Sequence, residues 1–192
     1  MKVGLFFGSF NPIHIGHVAI AQYMIEFTSI DELWFVVSPH NPHKQKASLL
    51  NDYDRYEMIS RAIEPYEHMQ VSSVEFSLPK PSYTIVTLAH LLENFPSYEF
   101  VLIMGGDNLC GLSKWRNYSY ILENFQILVY SRPQFDVPDE FANHSAISYF
   151  QAPLMEISSS FIRQSIKENK NMKAFMPHQA WEYLDKMNFY KD

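Results

Sequence analysis

Cysteine is almost absent from this sequence, with Cys110 as the single one in 192 residues. One cysteine excludes an intrachain disulfide and favours a reducing compartment. Long apolar runs are also missing, since no stretch approaches the ~20 residues that a membrane-spanning helix needs. We therefore expect a soluble cytoplasmic protein that has no membrane partner.

Positive charge is scarce as well. The 15 lysine and arginine residues stand against 21 aspartate and glutamate residues, for a net charge of −6. An acidic chain is a poor candidate for general nucleic-acid binding, because the phosphate backbone attracts basic surfaces. A small anion remains a candidate ligand, since a few local donors are enough to bind it. The length and the 47% of hydrophobic residues suit one domain with a full core, over residues 1–192.

Short apolar runs alternate with helical patterns along the chain. The runs predict strands at residues 3–7, 33–37, 69–74, 100–104, 126–130 and 146–150, and the patterns predict helices at 15–25, 49–63, 84–95, 160–168 and 177–187. Near-continuous apolar strands separated by helices predict an α/β fold with a mostly parallel sheet of about five to six strands. The helix at 49–63 has apolar or aromatic residues at Tyr53, Tyr56, Ile59, Ala62 and Ile63.

A G-x-G-x-x-G fingerprint is missing after the first strand, so dinucleotide binding of the Rossmann type is not supported. In its place stands G-S-F-N-P-I-H-I-G-H, residues 8–17. A strand, a loop with glycine and proline, and a helix start make a phosphate cradle, because free N–H groups and the helix dipole favour an anion. His14 and His17 lie about one helical turn apart, so both are expected to reach one phosphate.

Several short motifs carry a common resemblance. The string His14-Ile15-Gly16-His17 resembles the H-x-G-H signature of the nucleotidyltransferase superfamily related to class I aminoacyl-tRNA synthetases. Further motifs resemble, in order, those of bacterial nicotinate-nucleotide adenylyltransferases: residues 8–12 (G-[TS]-F-[DN]-P), 41–44 (N-P-H-K), 81–84 (P-S-Y-T), 106–107 (from G-A-D), Trp115, 132–133 (R-P) and 157–163 (I-S-S-T-x-I-R). Their order and spacing together are specific. The resemblance implies a single Rossmann-like doubly wound domain.

The resemblance also implies a reaction. The adenylyl group of ATP passes to nicotinate mononucleotide, which gives deamido-NAD (nicotinate adenine dinucleotide) and pyrophosphate in NAD biosynthesis. The substrate phosphate attacks the α-phosphorus in line, without a covalent enzyme intermediate, so catalysis is mostly positioning and charge stabilisation. We expect Mg²⁺ to enter with ATP, held mainly by phosphate and water, because the sequence shows no carboxylate cluster.

The site residues implied by the resemblance fall into two groups. Catalysis and ATP binding are assigned to Gly8, Ser9, Phe10, His14, His17, Ser158, Ser159, Ser160 and Arg163, with His14, His17 and Arg163 as the catalytic residues. Acceptor binding is assigned to Lys44, Tyr83, Thr84, Asp107, Trp115 and Arg132, with the Trp115 ring against the pyridine. The serine-rich helix start near Ser158 and the nearby Arg163 form a second anion site, suited to the β- and γ-phosphates.

Three positions depart from the family pattern. Val86 stands where aspartate is common, Gly106 replaces a usual alanine, and Ser160 replaces a usual threonine. None of these changes removes a group that the chemistry plainly needs. Val86 does remove any polar contact that the family makes from that position.

Other functions stay open at this point. The same fold serves other acceptors, such as nicotinamide mononucleotide, phosphopantetheine or a cytidylyl substrate. A non-catalytic nucleotide sensor is an alternative of a different class, although a sensor has no need of transition-state donors such as His14 and His17. His40 and His43 have a spacing found among metal ligands, but no third ligand stands nearby. The oligomeric state is undecided, and a homo-oligomer is one of the outcomes left open.

Overall fold

The computed structural model describes residues 1–39, 49–131, 135–153 and 155–191. Within these residues the chain forms one sheet with helices between the strands. The strands are β1 (Lys2–Gly8), β2 (Glu32–Val37), β3 (Met69–Ser72), β4 (Glu99–Gly105), β5 (Gln126–Tyr130) and β6 (Ile147–Phe150). The α-helices are α1 (Ile15–Phe27), α2 (Asp52–Ile63), α3 (Thr84–Asn94), α4 (Gly106–Leu109), α5 (Tyr118–Asn124), α6 (Ser159–Lys167) and α7 (His178–Lys186).

The strand order is β3-β2-β1-β4-β5-β6, and every neighbouring pair is parallel. This arrangement confirms the predicted doubly wound α/β fold. The third strand ends earlier than predicted, because a 3₁₀ turn over Val74–Phe76 follows β3. No helix of the described segments is both long enough and apolar enough to cross a bilayer.

Side chains of each strand alternate between two hydrophobic clusters. On β4, Val101 and Ile103 belong to one cluster, and Leu102 belongs to the other. The first cluster includes buried residues of α1, α2, α6 and α7, and the second includes buried residues of α3 and α5. Helices therefore cover both faces of the sheet, which explains why its strands are apolar nearly throughout.

The buried face of α2 includes an arginine and leaves out the aromatic residue nearest the start of the helix. Tyr53 is 71% exposed, and the buried face carries Arg55, Met58, Ile59, Ala62 and Ile63. Asn51 begins this helix by accepting a hydrogen bond from the N–H of Tyr53 at 2.9 Å, as a capping residue does. The start of the helix is therefore set by Asn51, and the helix turns a buried arginine toward the sheet.

Candidate active site

The strand order reverses between β1 and β4, at the middle of the sheet. From β1 the chain proceeds to β2 and β3 on one side, and from β4 it proceeds to β5 and β6 on the other. Gly8 ends β1 opposite Val37, and Gly105 ends β4 opposite Tyr130. The loops after β1 and β4 leave in opposite directions, and the crevice between them is the usual ligand site of such sheets.

Residues 9–14, which we call the β1–α1 loop, are held by side chains from two distant helices. Arg55 of α2 donates to the Ser9 carbonyl at 2.6 Å. From α6, Arg163 donates to the Asn11 carbonyl at 2.7 Å, and Ser159 donates to the carbonyl of the next residue, Pro12, at 2.8 Å. Each bound carbonyl fixes its peptide plane, and the contacts at Ser9 and Pro12 thereby also fix the direction of the N–H groups of Phe10 and Ile13.

Phe10 anchors this loop through its buried ring. Its ring is 3% exposed and lies against Phe6, Phe35 and His17, with centroids 5.7, 5.4 and 5.1 Å away. The backbone at Phe10 has a φ of 44°, in the left-handed region that few side chains adopt. A Cβ at Gly8 would lie 2.8 Å from the Phe10 ring, so the glycine leaves the space that this ring occupies.

The two histidines lie together at the start of α1. Their rings stack with centroids 3.7 Å apart and planes 25° apart. His14 is buried and His17 is half-buried. The backbone N–H of His14 donates to Nδ1 of His17 at 3.2 Å. A Cβ at Gly16 would lie 3.1 Å from Nδ1 of His14, so the glycine of the H-x-G-H string leaves room for this ring.

The start of α6 reaches the same loop. Ser158 caps the helix by accepting from the N–H of Phe161 at 3.1 Å. Ser159 binds Pro12 as described above, and Ser160 accepts from the Arg163 guanidinium at 3.2 Å. The structure therefore brings the predicted ATP-binding residues of 8–17 and of 158–163 together. Both helix N-termini border the β1–α1 loop, and both favour negative charge.

Arg55 was missed by sequence reasoning. Its side chain is fully buried, and it donates to the carbonyls of Ser9, Ser38 and Leu50 at 2.6, 3.0 and 3.1 Å and to the Asp52 carboxylate at 2.6 Å. Burial lowers the pKa of the guanidinium from its ordinary value, and the Asp52 carboxylate opposes that shift. Arg55 thus joins the loops after β1 and β2. The available signal was an arginine at helical spacing with Met58, Ile59 and Ala62.

The acceptor side involves the start of α3. Tyr83 precedes the first residue of this helix, Thr84, and the Arg116 guanidinium lies 5.1 Å from the centre of the Tyr83 ring. Trp115 ends a short 3₁₀ helix and packs half-buried against the second cluster. Three of the predicted acceptor residues, Tyr83, Thr84 and Trp115, therefore belong to adjacent segments. Asp107 lies in α4, immediately after β4.

A buried acid also supports the start of α3. Glu75 is 2% exposed, and Thr87 donates to its carboxylate at 2.7 Å. Burial raises the pKa of Glu75 above its ordinary value, and hydrogen bonds from the Thr87 and Ser38 side chains partly oppose this. The N–H of Thr87 bonds to the Tyr83 carbonyl at 3.2 Å, so Glu75 steadies the turn that carries Tyr83.

Some predicted positions lie outside the described residues. These are Lys44 and Arg132 of the acceptor group, together with the His40–His43 pair considered for a metal. Within the described segments, no group of three or more histidine, cysteine, aspartate or glutamate side chains is placed to hold a metal ion.

Comparison with known proteins places the chain in a class. The model of the cytidylyltransferase-like family matches residues 5–165. A protein of Flavobacterium psychrophilum, named as a nicotinate-nucleotide adenylyltransferase, is 53% identical over 192 residues and covers 100% of both chains. A protein of the same name from Christiangramia forsetii is 53% identical over 191 residues, covering 99% of this chain and 98% of its own.

A solved structure gives the same fold. The nicotinic acid mononucleotide adenylyltransferase of Plasmodium falciparum, complexed with NaAD, superimposes with a TM-score of 0.83 at 20% identity, covering 98% of this chain and 97% of its own. Together, the family model and the full-length relatives confirm the resemblance found in the sequence motifs. The chain belongs to the cytidylyltransferase-like family and, within it, to the nicotinate-nucleotide adenylyltransferases.

Proposed function

We propose that this enzyme transfers the adenylyl group of ATP to the phosphate of nicotinate mononucleotide, which yields nicotinate adenine dinucleotide and pyrophosphate for NAD biosynthesis. The observation that carries the proposal is the joining of two phosphate-binding helix starts. Ser159 and Arg163 of α6 bind the Pro12 and Asn11 carbonyls at 2.8 and 2.7 Å, beside the stacked His14 and His17. A nucleoside triphosphate needs several such donors in one place.

The reaction is a single displacement at phosphorus. An oxygen of the acceptor phosphate forms a bond to the α-phosphorus, and the bond to the oxygen that bridges to the β-phosphorus breaks. Pyrophosphate leaves with the bonding electrons. Because a phosphate is already a nucleophile, the protein contributes orientation and charge stabilisation, with no nucleophilic residue of its own.

His17 is the hydrogen-bond donor that we assign to the α-phosphate. Its Nδ1 accepts from the His14 N–H, so the neutral ring carries its proton on Nε2. We assign this Nε2–H to the equatorial oxygens of the α-phosphorus. His14 and the amides of residues 8–10 contribute further donors, each worth ~2–4 kcal/mol if it acts as oxyanion-site donors do. Ser158–Ser160 and Arg163 face the leaving pyrophosphate.

The acceptor lies against the start of α3. Trp115 supplies a flat surface for the pyridine ring, and Thr84 donates to the nicotinate carboxylate. Asp107, directly after β4, accepts from ribose hydroxyls. Support comes from the Arg116–Tyr83 contact, which brings the segments of Trp115 and Thr84 together. Acceptor binding by Lys44 and Arg132, which lie outside the described residues, stays a prediction from the sequence.

Mg²⁺ fits this donor set as an ion that arrives with ATP. Phosphate oxygens and water are its preferred ligands, and Asp107 is the carboxylate that we assign to the same edge of the sheet. When bound, the ion supplies charge neutralisation on the triphosphate and makes pyrophosphate a better leaving group. We further propose that residues 1–192 form one nucleotidyltransferase domain.

A pyrophosphate-release assay tests this function. The protein is mixed with ATP, Mg²⁺ and one acceptor at a time: nicotinate mononucleotide, nicotinamide mononucleotide or phosphopantetheine. We expect release with nicotinate mononucleotide to exceed that with the nicotinamide form by roughly tenfold or more, since an unpaired buried donor disfavours the amide. Preference for another acceptor would contradict the acceptor assignment. ATP binding without release for any acceptor would indicate a nucleotide sensor.

A further inference from the structure

Tyr190 forms a hydrogen bond with the β1–α1 loop from the far end of the sequence. Its hydroxyl donates to Oδ1 of Asn11 at 2.6 Å, across 179 residues of chain. Asn11 is 4% exposed. Of its two neighbours in sequence, Phe10 packs its ring against His17, and Pro12 has its carbonyl bound by Ser159. The contact therefore joins the segment after α7 to the centre of the candidate active site.

Asn11 collects restraints from three directions. Its side-chain oxygen accepts from the Tyr190 hydroxyl and from the backbone N–H of Leu50 at 3.2 Å. Its backbone carbonyl accepts from Arg163 at 2.7 Å. The Arg163 contact fixes the peptide plane that follows Asn11, whereas Tyr190 and Leu50 fix its side chain. Removing the Tyr190 hydroxyl therefore takes away one restraint, while the partners Leu50 and Arg163 are unchanged.

The segment that carries Tyr190 turns back sharply after α7. Asn188 and Tyr190 have φ values of 54° and 61°, on either side of Phe189. The left-handed conformation is unfavourable for a tyrosine and persists only where surrounding contacts impose it. Three contacts impose it here. The N–H of Phe189 donates to the Leu184 carbonyl at 3.1 Å, and the Phe189 ring packs 5.6 Å from the Tyr183 ring. The Tyr190 hydroxyl donates to Asn11.

The Tyr190 hydroxyl stays protonated at neutral pH and is therefore a donor. Burial raises the pKa of Tyr190 above its ordinary value, and the positive charges of Arg163 and Arg55 only partly oppose this. The neutral phenol donates one proton, and Oδ1 of Asn11 receives it.

We propose that Tyr190 is a positioning residue for adenylyl transfer, acting through Asn11 to hold the β1–α1 loop so that its amides and His14, together with the adjacent His17 of α1, are directed at the α-phosphate. This inference rests on the proposed function. A loop that carries transition-state donors must keep them in place within a fraction of an ångström, because a displaced donor stabilises the developing charge less. Tyr190 supplies this restraint without contacting substrate.

Tyr190→Phe tests the proposal by removing one oxygen. We expect kcat to fall about fivefold, as loss of one net hydrogen bond implies, while the KM for ATP changes less than about twofold. Amide hydrogen exchange in peptides covering residues 9–14 is expected to become faster in the free enzyme. A role in stability alone would lower the unfolding midpoint and would leave kcat per folded molecule unchanged.

Tyr183→Phe is the matched control. Tyr183 lies on α7, and its hydroxyl donates to Asp54 of α2 at 3.1 Å and not to a residue of the β1–α1 loop. This variant also loses a tyrosine hydroxyl bound to an oxygen acceptor. We expect its kcat and its exchange in residues 9–14 to match the wild type.

Asn11→Leu completes a double-mutant cycle. It removes the acceptor at nearly constant volume, so adding Tyr190→Phe in that background should cause no further fall in kcat. Additive losses from the two substitutions would overturn the proposal. So would a Tyr190→Phe enzyme with the kcat and loop exchange of the wild type.

The proposed function and the role of Tyr190 can fail separately. If the wild type releases no pyrophosphate with any acceptor, the function is wrong. The exchange measurement needs no turnover, so it still decides whether Tyr190 orders residues 9–14. If the wild type is active and Tyr190→Phe is indistinguishable from it, only the inference about Tyr190 is wrong.

Discussion

The backbone N–H of His14 donates to Nδ1 of His17 at 3.2 Å, while the two rings stack 3.7 Å apart. The hydrogen bond to Nδ1 thus sets both the tautomer of His17 and the plane of its ring. The other ring nitrogen, Nε2, carries the proton of the neutral form. His17 consequently has a defined donor atom before any substrate binds, and its role can be tested atom by atom.

His17→Ala is expected to lower kcat about 100-fold, as removal of an oxyanion-site donor does, with a change in ATP affinity of less than about threefold. Steady-state kinetics and direct titration of ATP measure the two effects. The amide nitrogen of glutamine matches Nε2, whereas asparagine matches Nδ1. His17→Gln should therefore retain more activity than His17→Asn. An equal loss of kcat and of ATP binding in His17→Ala would contradict the assigned role.

Arg55→Met is expected to destabilise the fold by about 3 kcal/mol, because it leaves buried carbonyls at Ser9 and Ser38 without their donor. Urea unfolding measures the loss. Arg61→Met is the control on the same helix: Arg61 is exposed and pairs with Glu57 at 2.7 Å, so its loss should cost less than about 1 kcal/mol. Equal destabilisation by the two substitutions would show that the buried contacts of Arg55 add nothing.

Glu75→Gln is expected to stabilise the protein at neutral pH. The raised pKa of Glu75 means that the folded state holds a proton more tightly than the unfolded state. The contribution of this residue is therefore fully present below the ordinary pKa of glutamate, and it declines as pH rises through the folded pKa. Glutamine removes that decline and still accepts the hydrogen bond from Thr87.

Unfolding free energies measured between pH 4 and pH 8 test this sign. The advantage of Glu75→Gln over the wild type should grow as pH rises. Glu93→Gln, on the exposed side of α3, serves as the control and should show no such trend. A variant whose advantage shrank toward pH 8 would exclude a raised pKa at Glu75.

Thr84→Val is expected to raise the KM for nicotinate mononucleotide roughly tenfold, since a hydrogen bond to a charged group is worth about 1.5–3 kcal/mol. The KM for nicotinamide mononucleotide should change less, because its amide has no charge, so discrimination between the two acceptors declines. Thr28→Val is the matched control. Thr28 follows the last residue of α1, and this substitution removes a hydroxyl that donates to the Met24 carbonyl. An unchanged ratio of kcat/KM for the two acceptors would remove Thr84 from the carboxylate site.

Much of this fold could be predicted from local sequence patterns. Runs such as residues 100–104 are apolar at every position because parallel strands are covered on both faces, and the structure confirms a strand there. The Ser158–Arg163 segment was recognised as a helix start because serine is a capping residue, and Ser158 does cap α6. Such signals depend on a few adjacent residues, so they can be recognised without knowledge of the fold.

The partners of the β1–α1 loop could not be predicted in the same way. Arg55 carried no prediction, because periodicity of apolar residues does not show that a charged residue of the same helix is buried. Tyr190 carried no signal, since its partner Asn11 lies 179 residues away. The Asn11 of G-S-F-N-P was visible only as a turn residue beside a proline.

By itself, the sequence determined the order of six strands and five helices along the chain, and the motifs that place the chain among the nicotinate-nucleotide adenylyltransferases. It also predicted a phosphate site at residues 8–17. Local propensity and motif spacing are properties of contiguous residues, so they can be recognised from the sequence alone. Only the tertiary structure decided that Arg55, Ser159, Arg163 and Tyr190 converge on one loop. That convergence depends on how the helices pack on the sheet, because packing brings together side chains that are far apart in sequence.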